Sequence, residues 1–272
     1  MNHNNRTALV FVFWAFVFYL FVPLILMIVM GFKDSKFIGF PIRSWTFDWY
    51  LGVFDDTEVA QTFVYSMLIA FVSTLISILI GTWLAVLLNV QKFVGRAVIY
   101  GLMILPALVP GIISAIAFRI YARLLGIEPG MGAIIWAHAI HNVPFVTLVV
   151  MARLSTLPQS MRDAARDLGA DPLMTFMRVT LPYLSPALIG GSVFCLLLSF
   201  DDFVRSFFLG GYEPTLPVLI FAMLRSGMSP EINAISTVAL ILTAALGIWA
   251  ERSSRRLKKE KKWTLIKMYC RN

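Results

Sequence analysis

Asp201 and Asp202 stand side by side at the end of an uncharged run, residues 179–200, with Arg205 close behind. An acid in apolar surroundings is costly and is a functional candidate by default. A carboxylate there can hold a cationic amine through a charge-assisted hydrogen bond. On a helix the two acids point in different directions, so at most one easily faces a central pathway. Arg205 lies i+4 from Asp201 and i+3 from Asp202, so one acid can instead be spent on an ordinary helical ion pair. His138 and His141 are i+3 and share a helix face. The sequence offers them no matching cysteine or acid cluster, so metal binding is disfavoured and a packing role along a cavity or interface is expected. Trp45, Trp49 and Tyr50 can form an interfacial belt. Their other use is to stack on an amine by cation–π attraction over an outer vestibule.

Some chemistry is absent. No Gly precedes a Lys, so the phosphate-cradling G-x-x-x-x-G-K-[ST] loop is missing, as are G-x-S-x-G and H-E-x-x-H. The chain therefore cannot hydrolyse ATP alone, and no catalytic residue is assigned.

These groups are carried by an unusually apolar chain. Of 272 residues, 59% are hydrophobic and 14% charged, against about 25% charged in ordinary soluble domains. That excludes a water-soluble globule, a disordered chain and a disulfide-stapled module. Cys195 lies in an apolar run and Cys270 in a basic tail, so a bond between them is not expected. Uncharged stretches cover residues 7–32, 59–91, 97–118, 129–152, 179–200 and 232–250. Each approaches or exceeds the roughly 20 apolar residues a membrane-crossing helix needs. They are continuously apolar, not alternating, which excludes a β-barrel. The expectation is an all-α integral membrane protein with six transmembrane helices in a single permease-like domain, 1–272. Its spans fall at about 7–32, 62–89, 97–125, 130–152, 183–209 and 232–250. Pro23 should kink the first, and Pro106, Pro110 and Gly111 should bend the third. Residues 216–224 are too short to cross and are expected to be re-entrant or interfacial.

Alternate connections divide the Lys and Arg residues unequally. One side carries Arg6, Lys92, Arg96, Arg153, Arg162, Arg166, Arg178 and nine between 252 and 271; the other carries Lys33, Lys36, Arg43, Arg119, Arg123, Arg205 and Arg225. By the positive-inside rule both termini are expected in the cytoplasm. Within the basic tail, 251–272, the run 252–262 should rest on anionic headgroups, in preference to binding nucleic acid; the residues after 262 fit no pattern.

On that inner side, residues 155–182 read as two short amphipathic helices. Pro158 suits a first helical position. Met161, Ala164, Ala165 and Leu168 share one face, and Arg162, Asp163, Arg166 and Asp167 the other. Gly169 ends the helix where a left-handed residue is cheap. Asp171 can cap a second helix with Pro172 next to it. Pro182 and Pro186 are expected to break the chain before the fifth span. Periodicity alone leaves two readings open: a docking element or a loop on the headgroups.

This stretch resembles the EAA loop of bacterial ABC-importer permeases, a pattern of E-A-A, three residues, G, nine residues, I-x-L-P. Here it runs Asp163-Ala164-Ala165, three residues, Gly169, nine residues, Val179-Thr180-Leu181-Pro182. Asp replaces Glu and Val replaces Ile. The resemblance implies a type I importer fold in which Asp163, Ala164, Ala165, Asp167, Leu168, Gly169, Leu181 and Pro182 form the coupling element for an ATPase. Within that superfamily the chain is similar to the spermidine/putrescine branch. The supporting stretches are Trp45-Thr46-Phe47-Asp48-Trp49-Tyr50, Leu105-Pro106, His138 with Pro144-Phe145, Ser199-Phe200-Asp201-Asp202 and Ser229-Pro230-Glu231-Ile232-Asn233-Ala234. Members of that branch can carry another acid after the third-span proline; Pro106-Ala107-Leu108-Val109-Pro110 has none.

The resemblance implies a non-catalytic subunit in a bacterial inner membrane, moving a polyamine such as spermidine or putrescine. Its partners would be two ATP-binding cassette ATPases holding the ATP and Mg, a second homologous permease, an extracytoplasmic solute-binding protein and membrane lipid. The pathway residues expected are Asp201, Asp202, Trp45, Trp49 and Tyr50, with Pro106, Pro110 and His138 as structural or pathway-lining residues. Alternatives are a permease for another small organic solute, such as an opine or amino-acid derivative, a secondary transporter using Asp201 or Asp202 as a relay, or a membrane enzyme using His138 and His141.

Overall fold

The computed structural model describes residues 3–35, 39, 41–90 and 93–269. Lys36, Lys92, Cys270 and Arg271, invoked above for charge or cysteine pairing, lie outside the described residues. The described chain is helical: α1 His3–Met30, α2 Asp48–Asp55, α3 Thr57–Val90, α4 Arg96–Leu108, α5 Gly111–Leu124, α6 Met131–Leu154, α7 Gln159–Asp167, α8 Pro172–Thr175, a π turn Phe176–Thr180, α9 Leu181–Phe200, α10 Phe203–Leu209, α11 Leu216–Ser226 and α12 Pro230–Tyr269. An isolated bridge pairs Lys33 with Trp45. Five of the described helices are long and apolar enough to cross a membrane, or six if the bent pair α4–α5 counts as one span. The chain forms two compact units: Met1–Gln61 with Leu219–Leu242, and Thr62–Val218 with Thr243–Asn272.

In the first unit, the end of α1 is closed by aromatic side chains. The Trp49 indole donates to Lys33 O (2.9 Å) and the Tyr50 hydroxyl to Ile28 O (3.1 Å). These bonds tie α2 to the last turn of α1 and to the segment just beyond it. Tyr50 lies so close to Gly31 that a Cβ there would sit 2.6 Å from its oxygen. Asp56 caps α3, its Oδ1 accepting from the Glu58 and Val59 amides. Phe11, Trp14, Phe18, Tyr19 and Phe21 of α1 are all more than half exposed. In a chain of this class such a face belongs against lipid or a neighbouring membrane helix.

The second unit is built on the packing of α3, α6 and α9. Ala85, Val146, Val150, Leu154, Leu184 and Cys195 form one buried cluster, and Ile69, Ala133, Ile134, Ala137 and Leu209 another. Small residues on α3 let α6 approach closely, the usual device where lipid supplies no hydrophobic drive. A Cβ on Gly81 would lie 2.7 Å from Val146 Cβ and 3.2 Å from Val143 O. Gly81→Ala is therefore expected to cost about 1–3 kcal/mol through overpacking. Thermal unfolding in detergent checks it, and an unchanged midpoint would contradict the close approach of α3 and α6 at this position.

Some expectations hold and others need correction. The third span bends where Pro106, Pro110 and Gly111 stand, α4 and α5 meeting at 108°. Pro110 cannot donate to Pro106 O and Pro106 cannot donate to Leu102 O, so the helical ladder fails twice within five residues. Pro182 and Pro186 do not break the chain, since an apolar helical stretch runs from Pro172 to Phe200. The π turn places the Leu181 amide on Phe176 O, five residues back, and this wider turn relieves the ring of Pro182. Pro182 O, which Pro186 cannot bond, accepts from Ser185 Oγ at 2.9 Å. The fifth span does not reach 209 as one helix: α9 ends at Phe200 and α10 restarts at Phe203. The last span falls about where expected, at Pro230–Ser253, and its helix runs on to Tyr269 because residues 251–262 contain strong helix formers and no Gly or Pro. The short run at 216–224 does form a helix too short to cross, its first amide donating to Ser66 Oγ at 2.7 Å.

Candidate functional site: a polar junction at two broken helices

Asp202 opens α10. Its Oδ1 accepts from the Arg205 amide at 3.0 Å, an N-cap bond that starts the helix. Its Oδ2 accepts from Arg205 Nη1. Arg205 is 5% exposed, and the Asp202 side chain 10%. A guanidinium stays charged in proteins, so burying it here depends on that carboxylate. Arg205 Nη2 also donates to Ser114 Oγ on α5 (3.3 Å) and to His141 Nδ1 on α6 (2.9 Å). His141 Nδ1 lies 3.2 Å from Pro106 O, the carbonyl that Pro110 leaves unbonded. One nitrogen cannot accept from the guanidinium and donate to the carbonyl at once, so the two bonds are alternatives.

His138 is 1% exposed. Its Nδ1 lies 2.7 Å from Ser199 Oγ, which meets Ser73 Oγ of α3 at 2.9 Å. Its Nε2 faces Asp202 Oδ2 at 3.8 Å and Ser206 Oγ at 3.4 Å. A proton on Nε2 suits the acceptor-only carboxylate, leaving Nδ1 to accept from Ser199. Ser77 of α3 donates to Ala139 O at 3.1 Å, and Asn142 to Cys195 O at 3.2 Å. This polar seam binds α3, α6, α9 and α10 at membrane depth, where unsatisfied groups are expensive.

Asp201 differs from its neighbour. It terminates α9, is exposed, and among the described residues its carboxylate has no hydrogen-bond or ion-pair partner. The two acids therefore do separate jobs: Asp202 is consumed internally and Asp201 is presented outward. The net charge left at the break is one negative unit. Of the histidines, His138 is a buried structural link and His141 a ligand of Arg205. Among the described residues no group of three or more His, Cys, Asp or Glu is placed to hold a metal. Pro106 contributes its carbonyl and Pro110 the bend. Trp49 and Tyr50 are tied to the end of α1, while Trp45 remains 62% exposed. Sequence reasoning did not single out Ser73, Ser114 or Ser206. Hydroxyls inside otherwise apolar spans, and two prolines four apart, were the available signals.

An apolar recess of about 340 Å³ lies in the angle of α4 and α5, lined by Pro106, Val109, Ser114, Phe118 and Tyr121 among others. In the first unit a recess of about 360 Å³ is bordered by Asp56, Glu58 and Glu231 with Val59, Leu219 and Met223.

The loop between α6 and α9 forms as its sequence suggests. Pro158 stands at the N-cap of α7, one residue before the first helical position expected for it, and Gly169 follows the helix with φ +82°. Gly169 N–H bonds Arg166 O (2.8 Å) and Ala170 N–H bonds Ala165 O (3.0 Å), the paired bonds of a Schellman turn. Asp171 Oδ1 accepts from Met174 N at 2.6 Å to start α8. Asp163 accepts from Gln159 Nε2 at 3.0 Å, and Asp167 is exposed. The apolar face is left open: Leu168 is 89% exposed, Leu173 70% and Met177 54%, with Met161 and Ala164 exposed beside them. Ala165 and Leu181 are half-buried and Pro182 is exposed. The loop's stem is clamped, with Arg153 stacked 4.0 Å over the Tyr183 ring and the Tyr183 hydroxyl donating to Thr156 O at 2.9 Å.

This fold is that of the membrane-spanning subunit of an ABC importer. It superposes on a bacterial ABC transporter involved in import of the acidic polysaccharide alginate with a TM-score of 0.74, at 16% identity, covering 93% of this chain and 96% of that one. It also matches the MetNI methionine ABC transporter with a TM-score of 0.62, at 21% identity, over 71% of this chain and 93% of that one. The chain belongs to the family of binding-protein-dependent transport system inner membrane components, whose signature spans residues 77–262. Its relatives include the spermidine/putrescine transport system permease protein PotC of Escherichia coli, 34% identical over 87% of this chain and 90% of that protein. PotC of Haemophilus influenzae is 29% identical over 92% and 96%, and the putrescine permease PotI of E. coli is 31% identical over 89% of each.

Proposed function

We propose that this chain is one permease subunit of an ATP-driven polyamine importer in a bacterial inner membrane, with Asp201 as the carboxylate that meets a passing ammonium group. The reading rests above all on that one unpartnered acid at an intramembrane break, in a chain whose relatives are named as spermidine/putrescine permeases. An extracytoplasmic binding protein delivers the solute, and a second, homologous permease completes the pathway. Two ATPase subunits, holding ATP and Mg, seat on the open face of α7 and α8 and move it; this chain binds no cofactor. Both termini lie in the cytoplasm, as the Lys and Arg distribution argues. ATP acts by favouring one conformation of the assembly over another.

From Leu181 to Phe200 is one helix of 20 residues, about 30 Å at 1.5 Å per residue. The loop and the acid therefore sit at opposite ends of one rigid lever. A charge-assisted hydrogen bond contributes about 1.5–3 kcal/mol, so Asp201→Asn is expected to lower putrescine uptake at sub-saturating concentration about 10- to 100-fold. The check is labelled uptake into proteoliposomes holding the complete transporter. Unchanged uptake overturns the assignment of Asp201.

One observation favours a variant of this reading. Arg205 cancels Asp202, and residues 106–110 carry no acid, so the junction suits a single ammonium group. A monoamine that competes with labelled putrescine as well as spermidine does would support it.

A further inference from the structure

We infer that Arg205 is a positioning residue: it pins the two helix breaks together and thereby aims Asp201, through Asp202, at the pathway. This rests on the reading of Asp201 given above. The observation is that one buried side chain reaches every part of the junction. Nη1 holds Asp202 in the α9–α10 break, while Nη2 holds Ser114 on α5 and His141 on α6. The Pro106 carbonyl, on the far side of the α4–α5 bend, stands 3.2 Å from the same His141 nitrogen and competes with Arg205 for it. Both carboxylate oxygens of Asp202 are taken by Arg205, one by its amide and one by its guanidinium. The residue before Asp202 therefore has little freedom. Its amide is bonded to Leu197 O (3.1 Å) and its carbonyl to the Phe203 amide (2.9 Å), which fixes the direction in which the Asp201 Cα–Cβ bond leaves the backbone.

A bare counter-charge would not need this geometry. Balancing Asp202 requires one cation, which a lysine supplies as a compact point charge. Reaching Asp202, Ser114 and His141 together requires the planar fork of a guanidinium. Arg205 Nε has no partner, so the bonding is concentrated in the two terminal nitrogens, the part of the group that lysine lacks. The contrast between Arg205→Lys and the wild type therefore separates charge balance from positioning.

Two measurements on the complete reconstituted transporter test this. In the first, ATP hydrolysed per putrescine imported is compared for wild type and Arg205→Lys at matched membrane abundance. Misplacing a reacting group by about 1 Å can cost about 100-fold in rate, and a rise in that ratio of at least about tenfold is expected. A merely structural role lowers the amount of transporter and leaves the ratio unchanged, which would overturn the proposal. The second readout needs no substrate. Spin labels at Ile113 on α5 and Phe207 on α10, both exposed, report the separation of the two broken elements in a Cys270→Ser background. Arg205→Lys is expected to broaden a single narrow distance distribution. An unaltered distribution overturns the pin, whatever the solute proves to be. A broadened distribution with Asp201→Asn transporting normally would keep the pin and reject Asp201 as its beneficiary.

Discussion

Gly169→Val is expected to abolish uptake while leaving insertion and membrane abundance near wild type. The turn after α7 requires φ +82°, a conformation that costs an L-residue about 1–2 kcal/mol, and a β-branched one more. No atom lies within 4 Å of where a Cβ would stand, so the obstacle is backbone conformation and not crowding. The loop is exposed and its strain does not reach the buried clusters, so the subunit still folds. What changes is the angle between α7 and α8. The proposed ATPase seat is built across that angle, from Met161, Ala164 and Leu168 on one side and Leu173 on the other. A few tens of degrees there carry the whole docking face away. Asn tolerates the left-handed region better, so Gly169→Asn should retain part of the activity. Labelled uptake, normalised to membrane-inserted subunit, reads both. Wild-type transport by the valine variant would refute the coupling role of this loop.

The second large effect is on stability. Asp202→Asn leaves the Arg205 guanidinium, 5% exposed, without its counter-ion. Removing one partner of a buried pair costs about 3–5 kcal/mol, a large share of the 5–15 kcal/mol that keeps a typical soluble domain folded. Loss of most folded subunit is expected. Asp202→Asn combined with Arg205→Gln removes both charges and should recover much of the stability, since an intact buried pair adds little over neutral side chains of similar volume. It should not recover transport if Arg205 positions Asp201. Cys195 is fully buried, so its labelling by a thiol dye on heating, in a Cys270→Ser background, reports unfolding directly. Equal melting of the single and double variants would show that the charge of Arg205 is not what the carboxylate supports.

Much was legible beforehand because it is local. Uncharged runs of helical length locate the spans whatever they pack against. The Schellman turn at Gly169 and the cap at Asp171 need only their own neighbours in sequence, and both form as their residue types require. The π turn before Pro182 was not legible. A proline marks where the ladder fails, but whether the helix stops or widens by one residue depends on the strength of packing on either side. Leu184, Pro186, Gly191 and Cys195 are all buried beyond it, and that burial holds α9 in line.

The acids show the same division. Their place at the end of an apolar span and their proximity to Arg205 follow from composition and spacing, and their membership in a transport chain from the resemblance of the inner loop to the EAA pattern. That Asp202 is the paired one and Asp201 the free one does not. Helical periodicity offers Arg205 to either, at i+3 or i+4. The choice came with the break after Phe200, which turned Asp202 into the cap of a new helix and brought its carboxylate onto the Arg205 amide and guanidinium. Ser73, Ser114, His138 and His141 were fitted to that junction from distances of 61 to 126 residues along the chain. The sequence by itself determined the solvent, the spans and the bent inner loop, because those depend on hydropathy and on neighbouring backbone groups. Only the tertiary structure decided which charge is spent and which is displayed, because a buried charge takes its partner from whatever the packed helices bring within reach.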